Sequence, residues 1–401
     1  MANTIATADI VAKEAAMILH DNLFFCKTIN RERDDEFRKE YNGVKPGSTI
    51  RIRKPAKFTA SSSMTFSAQD ITENTVSLAV ATSRSVYAAT TTAELSQSID
   101  ILSQRVIEPA MKQLASAIEN KVMTDLYAGV YNFVGTPGTA PNSLVGYLNG
   151  VAKLDKYLAP TGDRYALINS SAKVASIDAL KGLFQDQKSI ADQYKKGILG
   201  DLGGLMIGQN ELIPYHTNGT QGGTPLVNGA TQTGASLVTD GWSAAATIKA
   251  GTVFTLAGVY AVHPETKAQY ADLQQFVVTA DVTADGSGNA TLAISPSIVT
   301  SGAFQTVSGS PADNAALTLA TGSASTTYAQ NLIYHKDAAS LAFCDLDVPK
   351  GTHYAARQSM DGISVRVVAD FDVDTGNTKL RFDTLFGSAL VRPEHMCRFT
   401  G

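Results

Sequence analysis

Apolar and polar positions change period along this chain, and the changes divide it. Over residues 5–26 two apolar sets recur at helical spacing: Ile10, Met17 and Phe24, and beside them Val11, Ile18 and Phe25. Together they predict one helix. Residues 98–128 carry the strongest helical pattern. Ile107, Met111, Leu114, Ile118, Val122 and Leu126 return at steps of three and four, a single stripe that should face a core. Pro109 within it either sits in the first turn or kinks the helix. Shorter helical patterns cover 143–157 and 171–196, around a strand-like Tyr165-Ala-Leu-Ile168. Elsewhere the period is two. Thr49-Ile-Arg-Ile-Arg53, after a turn at Lys45-Pro46-Gly47, and Thr75-Val-Ser-Leu-Ala-Val80 alternate on either side of Ser61-Ser62-Ser63. They read as a long two-stranded excursion with a serine-rich tip.

Between residues 216 and 330 the material changes. Gly, Thr, Ser and Ala dominate, and short alternating runs recur at Leu237-Val238, 252–256, 276–279, 290–294 and 316–319. Asp285-Gly-Ser-Gly-Asn289 reads as a hairpin loop between two of them. This pattern predicts an all-β insert, a small barrel or sandwich, set into a host with polar junctions. The host resumes with a long strand at Gly362–Phe371, a turn at Asp374-Thr-Gly-Asn377, a returning strand at Lys379-Leu-Arg-Phe382 and a last strand at Phe386–Arg392, interrupted by Pro393.

Composition narrows the class. The chain has 401 residues, enough for two or three domains. Charged residues are 17%, low against a typical ~25%, while hydrophobic residues are an ordinary 44%. Low charge with many small residues suits a surface covered by copies of the same chain, and equally a β-rich adhesin. A net charge of −4 argues against strong nonspecific DNA binding. Three cysteines, Cys26, Cys344 and Cys397, are widely spaced and odd in number, which points away from a disulfide framework and towards a reducing compartment. No signal-peptide pattern opens the chain, and no apolar run approaches the ~18 residues of a membrane span.

Motifs that carry chemistry are missing. The sequence has no phosphate-binding G-x-x-x-x-G-K-[ST] loop, no H-E-x-x-H, no C-x-x-C and no G-x-S-x-G elbow. Asp370, Asp372 and Asp374 with Gly376 faintly resemble a calcium loop, but Thr375 and Arg381 stand where it needs Gly and Glu. Alternating Asp on the wet face of a hairpin is the better reading. The histidines, His20, His216, His263, His335, His353 and His395, show no ligand spacing. Trp242 reads as a core anchor rather than a sugar-stacking platform. The run Arg31–Glu40 carries both charge signs and reads as a solvated face, or as an arm pairing with a neighbouring subunit. Arg51, Arg53, Lys54 and Lys57 make the stem of the excursion basic. Two readings stand: an edge strand guarded by charge, or electrostatic register against acids of an adjacent subunit.

The tract Tyr194–Pro214 is the most informative. A turn at Gly197, the pair Gly203-Gly204, an apolar run Leu205-Met206-Ile207, a polar break and then Leu212-Ile213-Pro214 follow one another. It resembles the turn into the central sheet of tailed-phage major capsid proteins. Leu114-Ala-Ser-Ala-Ile-Glu-Asn-Lys-Val-Met123 resembles the spine helix of the short-tailed-phage coat proteins that carry an inserted β-domain. Ile248–Val259 resembles a strand pair of that insert, and Gly387-Ser-Ala-Leu-Val-Arg-Pro-Glu394 resembles the closing strand. The resemblance implies an α+β fold, the tailed-phage major capsid fold with an inserted all-β barrel domain. Its parts would be an N-terminal arm (1–43), an extended hairpin or E-loop (44–90), a peripheral domain with the spine helix (91–150), an axial domain begun over 151–217 and closed over 330–401, and the barrel (218–329). One departure is that residues 226–250 are short for the projecting loop that some relatives use across twofold contacts.

The function so implied is structural. Hexamers and pentamers of the chain would build an icosahedral head around packaged double-stranded DNA, touched only weakly and nonspecifically. A scaffolding protein and a portal would be partners, assembly would take place in the host cytoplasm, and no membrane, cofactor, metal or catalytic residue is called for. The competing class is a β-rich adhesin or fibre subunit whose insert binds glycans. It explains residues 216–330 but leaves the long helix and the basic hairpin without a role. An enzyme is third.

Overall fold

The computed structural model describes residues 8–32, 49–59, 70–91, 103–180, 201–349, 351–352, 354–373 and 377–400. The turn at Lys45-Pro46-Gly47, the Ser61-Ser62-Ser63 tip, most of the Arg31–Glu40 run, the helical pattern beyond residue 180, Gly197 and the turn residues 374–376 lie outside them. Contacts divide the chain into two compact units. One comprises Met1–Ile52, Val76–Met123 and Ala339–Ala389, and the other Arg53–Thr75, Thr124–Ala338 and Leu390–Gly401.

In the first unit the N-terminal helix runs Ala8–Asn22, and a short helix follows at Phe25–Thr28. The single helix expected over 5–26 is broken because the backbone N–H of Phe24 is given to the carboxylate of Glu119 instead of to a carbonyl one turn back. Of the two apolar sets, Val11 and Phe25 are buried, whereas Ile10, Met17 and Phe24 remain exposed. The long helix spans Glu108–Tyr127 after a single π-turn at Ser103–Ile107. Pro109 is the second residue of the α-helix, directly after the π-turn, so the lost N–H falls where the helix changes its hydrogen-bond spacing rather than in its interior. The whole stripe from Ile107 to Leu126 is at most 2% exposed.

The same unit holds an antiparallel sheet. Tyr354–Met360 pairs with Ile363–Asp372, which pairs with Asn377–Leu390, which pairs with Thr82–Thr91. Asn377–Leu390 is one strand of fourteen residues, not the two expected around residues 383–385. Asp383, in the expected gap, and Gly387, within the expected last strand, are both accommodated. The buried carboxylate of Asp383 accepts from Arg366 Nη2 and Arg381 Nε, both at 2.5 Å. Gly387 lies so close to the crossing backbone that a Cβ there would be 2.1 Å from the Ala79 carbonyl oxygen. Thr49–Arg53 and Thr75–Ala79 form a separate two-stranded ladder.

The second unit contains a mixed six-stranded body sheet. Its order is Asn132–Val134, Met396–Phe399, Asn331–His335, Arg164–Ile168, Leu205–Gln209, Asp201–Leu202. Two neighbour pairs are parallel, Asn132–Val134 with Met396–Phe399 and Arg164–Ile168 with Leu205–Gln209. Helix Leu144–Lys156, capped by the Ser143 hydroxyl accepting from Gly146 N, packs its Tyr147 and Leu154 with Ile168, Leu205, Ile333 and Phe399. Gly203 and Gly204 sit at φ 60° and 78° in a two-residue turn between the paired Leu202 and Leu205. That turn needs positive φ at both positions, which glycine adopts at no steric cost.

Between the body strands lies a second six-stranded sheet, ordered Leu317–Leu319, Val253–Val262, Gln269–Val278, Ala290–Ile298, Gly234–Trp242, Gly223–Val227. Its ends meet. Leu226 bridges Ala316, and Val227 N donates to Ala315 O at 3.0 Å. Phe254, Phe276, Leu237, Leu256, Leu292 and Ile294 fill the interior. Trp242 is buried there, its indole N–H on Thr239 Oγ1 at 2.8 Å. Asp285 caps the turn expected at 285–289, its carboxylate accepting from Ser287 N and Asn289 N.

Replacing Leu114 by Ala removes a fully buried side chain from the centre of the stripe. The expected cost is about 2–5 kcal/mol. Urea denaturation of the purified variant should show it, with misfolded, pelleting subunits the phenotype in cells. A folded variant of near wild-type stability would place this side chain at a surface.

Candidate functional site

The basic stem is built by two short strands, with Lys54 N donating to Asn74 O at 2.7 Å just beyond their ladder. Arg51, Arg53 and Lys57 are exposed. Arg53 reaches across the stem to Glu73 at 3.2 Å, with three quarters of its side chain in solvent. Such a pair contributes about 0–1 kcal/mol. Lys54 differs from the others. Burial pushes its amine below the ordinary lysine range, Glu394 opposes that, and Lys57 and Arg392 add to it. Lys57 also bears on Lys267 of the barrel, whose ammonium is held by the carbonyls of Pro264 and Ala303. The stem therefore presents a cationic region in which three of the four expected side chains face solvent. Lys54 belongs as much to the fold.

The stripe Ile107, Met111, Leu114, Ile118 and Val122 is covered within the single chain. Of the turn motif, Gly203 and Gly204 close the hairpin that opens the body sheet. Pro214 gives its carbonyl to Gln330 N at 2.9 Å, just before the chain leaves for the barrel. The way out and the way back pair with each other: Tyr215–Thr217 runs antiparallel to Thr327–Ala329. Around this neck the interior is polar. Asn218 Nδ2 donates to the carbonyls of Thr321 and Ser323, and Gln221 Nε2 to that of Gly322.

Arg398, His216 and His395 are buried ionisable groups of the second unit. Arg398 is fully enclosed, and burial lowers it to about 10. Burial, with the Arg398 charge second, lowers His216 to about 4, while Asn218 and Asp281 oppose. His395 is likewise lowered to about 4 by burial, with Glu394 opposing and Arg392 and His335 adding. Sequence reasoning passed over Arg398 and the Asp383 pair. The signal was available in one case: a lone Arg within the apolar run Met396-Cys-Arg-Phe399 has to find partners inside. Among the described residues no group of three or more His, Cys, Asp or Glu could hold a metal ion. No helix of the described residues is long and apolar enough to cross a membrane.

A family model described as P22 coat protein, gene protein 5, matches residues 3–401. The chain belongs to the P22 coat protein family. A solved structure from Mycobacterium phage Che8 aligns over 94% of this chain and 90% of its own, with 13% identity and a TM-score of 0.50, a likeness of fold. The capsid of Ralstonia phage GP4 aligns over 93% and 87%, with 8% identity and a TM-score of 0.45. The CUS-3 coat protein I-domain aligns over 25% of this chain and 98% of its own, with 25% identity and a TM-score of 0.20. Comparison with curated protein sequences gives no match. The coat protein is thus a major capsid protein of a tailed phage, a structural component of the virion with the α+β capsid fold and a β-barrel set within it.

The two low histidines make stability depend on acid. An unfolded histidine titrates near 6.5 and these two near 4, so between those values the unfolded chain holds protons that the folded one does not. Stability is then lost as pH falls from 6.5 towards 4, by about 1.4 kcal/mol per pH unit for each histidine. Urea midpoints of the coat protein should drop between pH 7 and pH 5, and His395→Gln should flatten the slope. A midpoint independent of pH in that window would contradict the burial argument.

Proposed function

We propose that this coat protein is the shell-building subunit of an icosahedral phage head, joining as hexamers and pentamers around packaged double-stranded DNA. A scaffolding protein guides assembly in the host cytoplasm, and a portal occupies one vertex. The family match across residues 3–401 carries this reading. In the same reading the chain is organised as arm (1–43), hairpin (44–90), peripheral domain (91–150), axial domain (151–217 and 330–401) and inserted barrel (218–329). The barrel serves folding and capsomer stability rather than ligand binding. Many identical weak contacts, closed by symmetry, supply the stability of the shell, and nothing in this role requires catalysis. The adhesin reading loses its best candidate residue, because Trp242 is enclosed in the barrel core and has no face free to stack on a sugar.

Within that function Arg51, Arg53, Lys54 and Lys57 set electrostatic register against acidic groups of a neighbouring subunit. Reversing the three exposed charges, Arg51, Arg53 and Lys57, to Glu should leave the subunit folded, by circular dichroism and by its denaturation midpoint. Co-expressed with scaffold, the wild type should sediment as closed particles. The variant should stay subassembled or require altered salt, since exposed charges are screened over about 10 Å at 0.1 M. Normal closed particles from the variant at low salt would remove the stem from the interface. A wild type that remains monomeric under every scaffold and crowding condition would overturn the shell itself.

A further inference from the structure

Arg398 heads the fully buried side chains, and among the described residues no carboxylate forms an ion pair with it. Its strand, Met396–Phe399, lies inside the body sheet between Asn132–Val134 and Asn331–His335. The guanidinium turns away from that ladder towards two loops. Nε and Nη2 both donate to the Val130 carbonyl, at 3.0 and 2.7 Å, and Nη1 donates to the Gly251 carbonyl at 2.7 Å. Val130 belongs to the turn that follows the spine helix. Gly251 belongs to the turn that leads into the barrel strand Val253–Val262. Tyr127, the last residue of the spine helix, places its ring 5.8 Å from the guanidinium carbon. Its hydroxyl lies 3.5 Å from Nδ1 of His216, on the strand that carries the chain into the barrel.

A buried cation without a counter-ion is tolerated only while carbonyl dipoles and an aromatic face replace its water. Here those acceptors come from two separate segments, and the rigid planar fork of Arg reaches both at once. Gly251 is built for the contact. It sits at φ 93°, and a Cβ there would meet His216 Nδ1 at 3.2 Å and Ala128 Cα at 3.6 Å. The barrel turn and the helix-end turn are therefore pressed together, with their carbonyls directed at one charge. Lifting the barrel turn away would strand a charged donor, and shifting the helix-end turn would strand two.

We propose that Arg398 is a coupling latch, which joins the seating of the barrel and the turn after the spine helix into one two-state event. The barrel then moves as one body with the end of the helix and the last strand, and rearrangements of the subunit flex at other points.

Hydrogen exchange on the soluble full-length protein tests this. Gly129 N and Val130 N are bonded within the helix-end turn, Thr252 N is bonded to Lys249 O within the barrel turn and Gly251 N to Val278 O at the end of a barrel strand, so all four amides report. In Ile294→Val, one methylene is removed from the barrel core. With Arg398 in place, exchange should quicken severalfold at the barrel turn and at Gly129 and Val130 together, while Leu341–Phe343 of the other unit stays unchanged. In Arg398→Lys, which keeps charge but loses the fork, both turns should exchange at least tenfold faster. Adding Ile294→Val to it should then affect the barrel alone. Quickening confined to the barrel with Arg398 intact would overturn the latch, and this arm does not require any Arg398 variant to fold. Equal spread to Gly129 and Val130 with and without the Arg398 fork would overturn it as well.

Discussion

The body sheet depends on a strand that arrives last. Met396–Phe399 inserts between Asn331–His335 and, in parallel, Asn132–Val134, joining positions such as Asn132 and Met396 that are 264 residues apart. Nothing local can form this pairing, so the sheet stays incomplete until the intervening chain has been brought back. The barrel excursion satisfies that condition simply. Its two ends, Tyr215–Thr217 and Thr327–Ala329, pair with each other, so the sheet meets them as neighbours whatever lies beyond. Loop-closure entropy grows only slowly with length. An excursion of about a hundred residues therefore disturbs the sheet little more than a short loop, provided that it folds and its neck holds.

Buried charge in this protein marks register rather than chemistry. Arg366 stands directly opposite Asp383 in the ladder, and Arg381 joins the same carboxylate. A one-residue slip would turn every side chain of that strand to the other face and leave a bare carboxylate inside. Glu119 acts similarly on a smaller scale, taking the Phe24 N–H and so fixing where the N-terminal helix stops. Arg164, almost fully enclosed, pairs with Asp155 and donates to the carbonyls of Ala159 and Pro160 in the loop after helix Leu144–Lys156. Few charges are available in a chain that is 17% charged, and several of them sit inside, where each specifies one arrangement.

What was legible in the sequence follows from periodicity. The spine stripe, the hairpin stem, the glycine-pair turn and most barrel strands announced themselves through spacing or turn chemistry, and the tract around Gly203 and Pro214 pointed to the family. Three features did not. The break after Asn22 depends on a carboxylate nearly a hundred residues away. The continuity of Asn377–Leu390 depends on two arginines and on a backbone crossing at Gly387. Arg398 stands out only as a lone charge in an apolar run; where its fork points is hidden, because its partners are carbonyls, and carbonyls leave no mark in a sequence. Local pattern carries local structure, whereas buried polar groups are decided by tertiary neighbours.

This division bears on how a coat protein separates folding from assembly. The apolar stripe that is easiest to read, Ile107 to Leu126, is covered by the chain's own residues. Its strong periodicity therefore specifies the subunit and says little about its neighbours. In the assembly proposed above, the residues left for neighbours are of another kind: the exposed Arg51, Arg53 and Lys57 of the stem, and the exposed Ile10, Met17 and Phe24, seven residues apart along the N-terminal helix and just beyond it. Sparse and mixed in character, they stabilise any single contact weakly. For a protein repeated many times in a closed lattice that weakness is useful, since contacts that form reversibly let misplaced subunits leave before closure, while their number holds the finished shell.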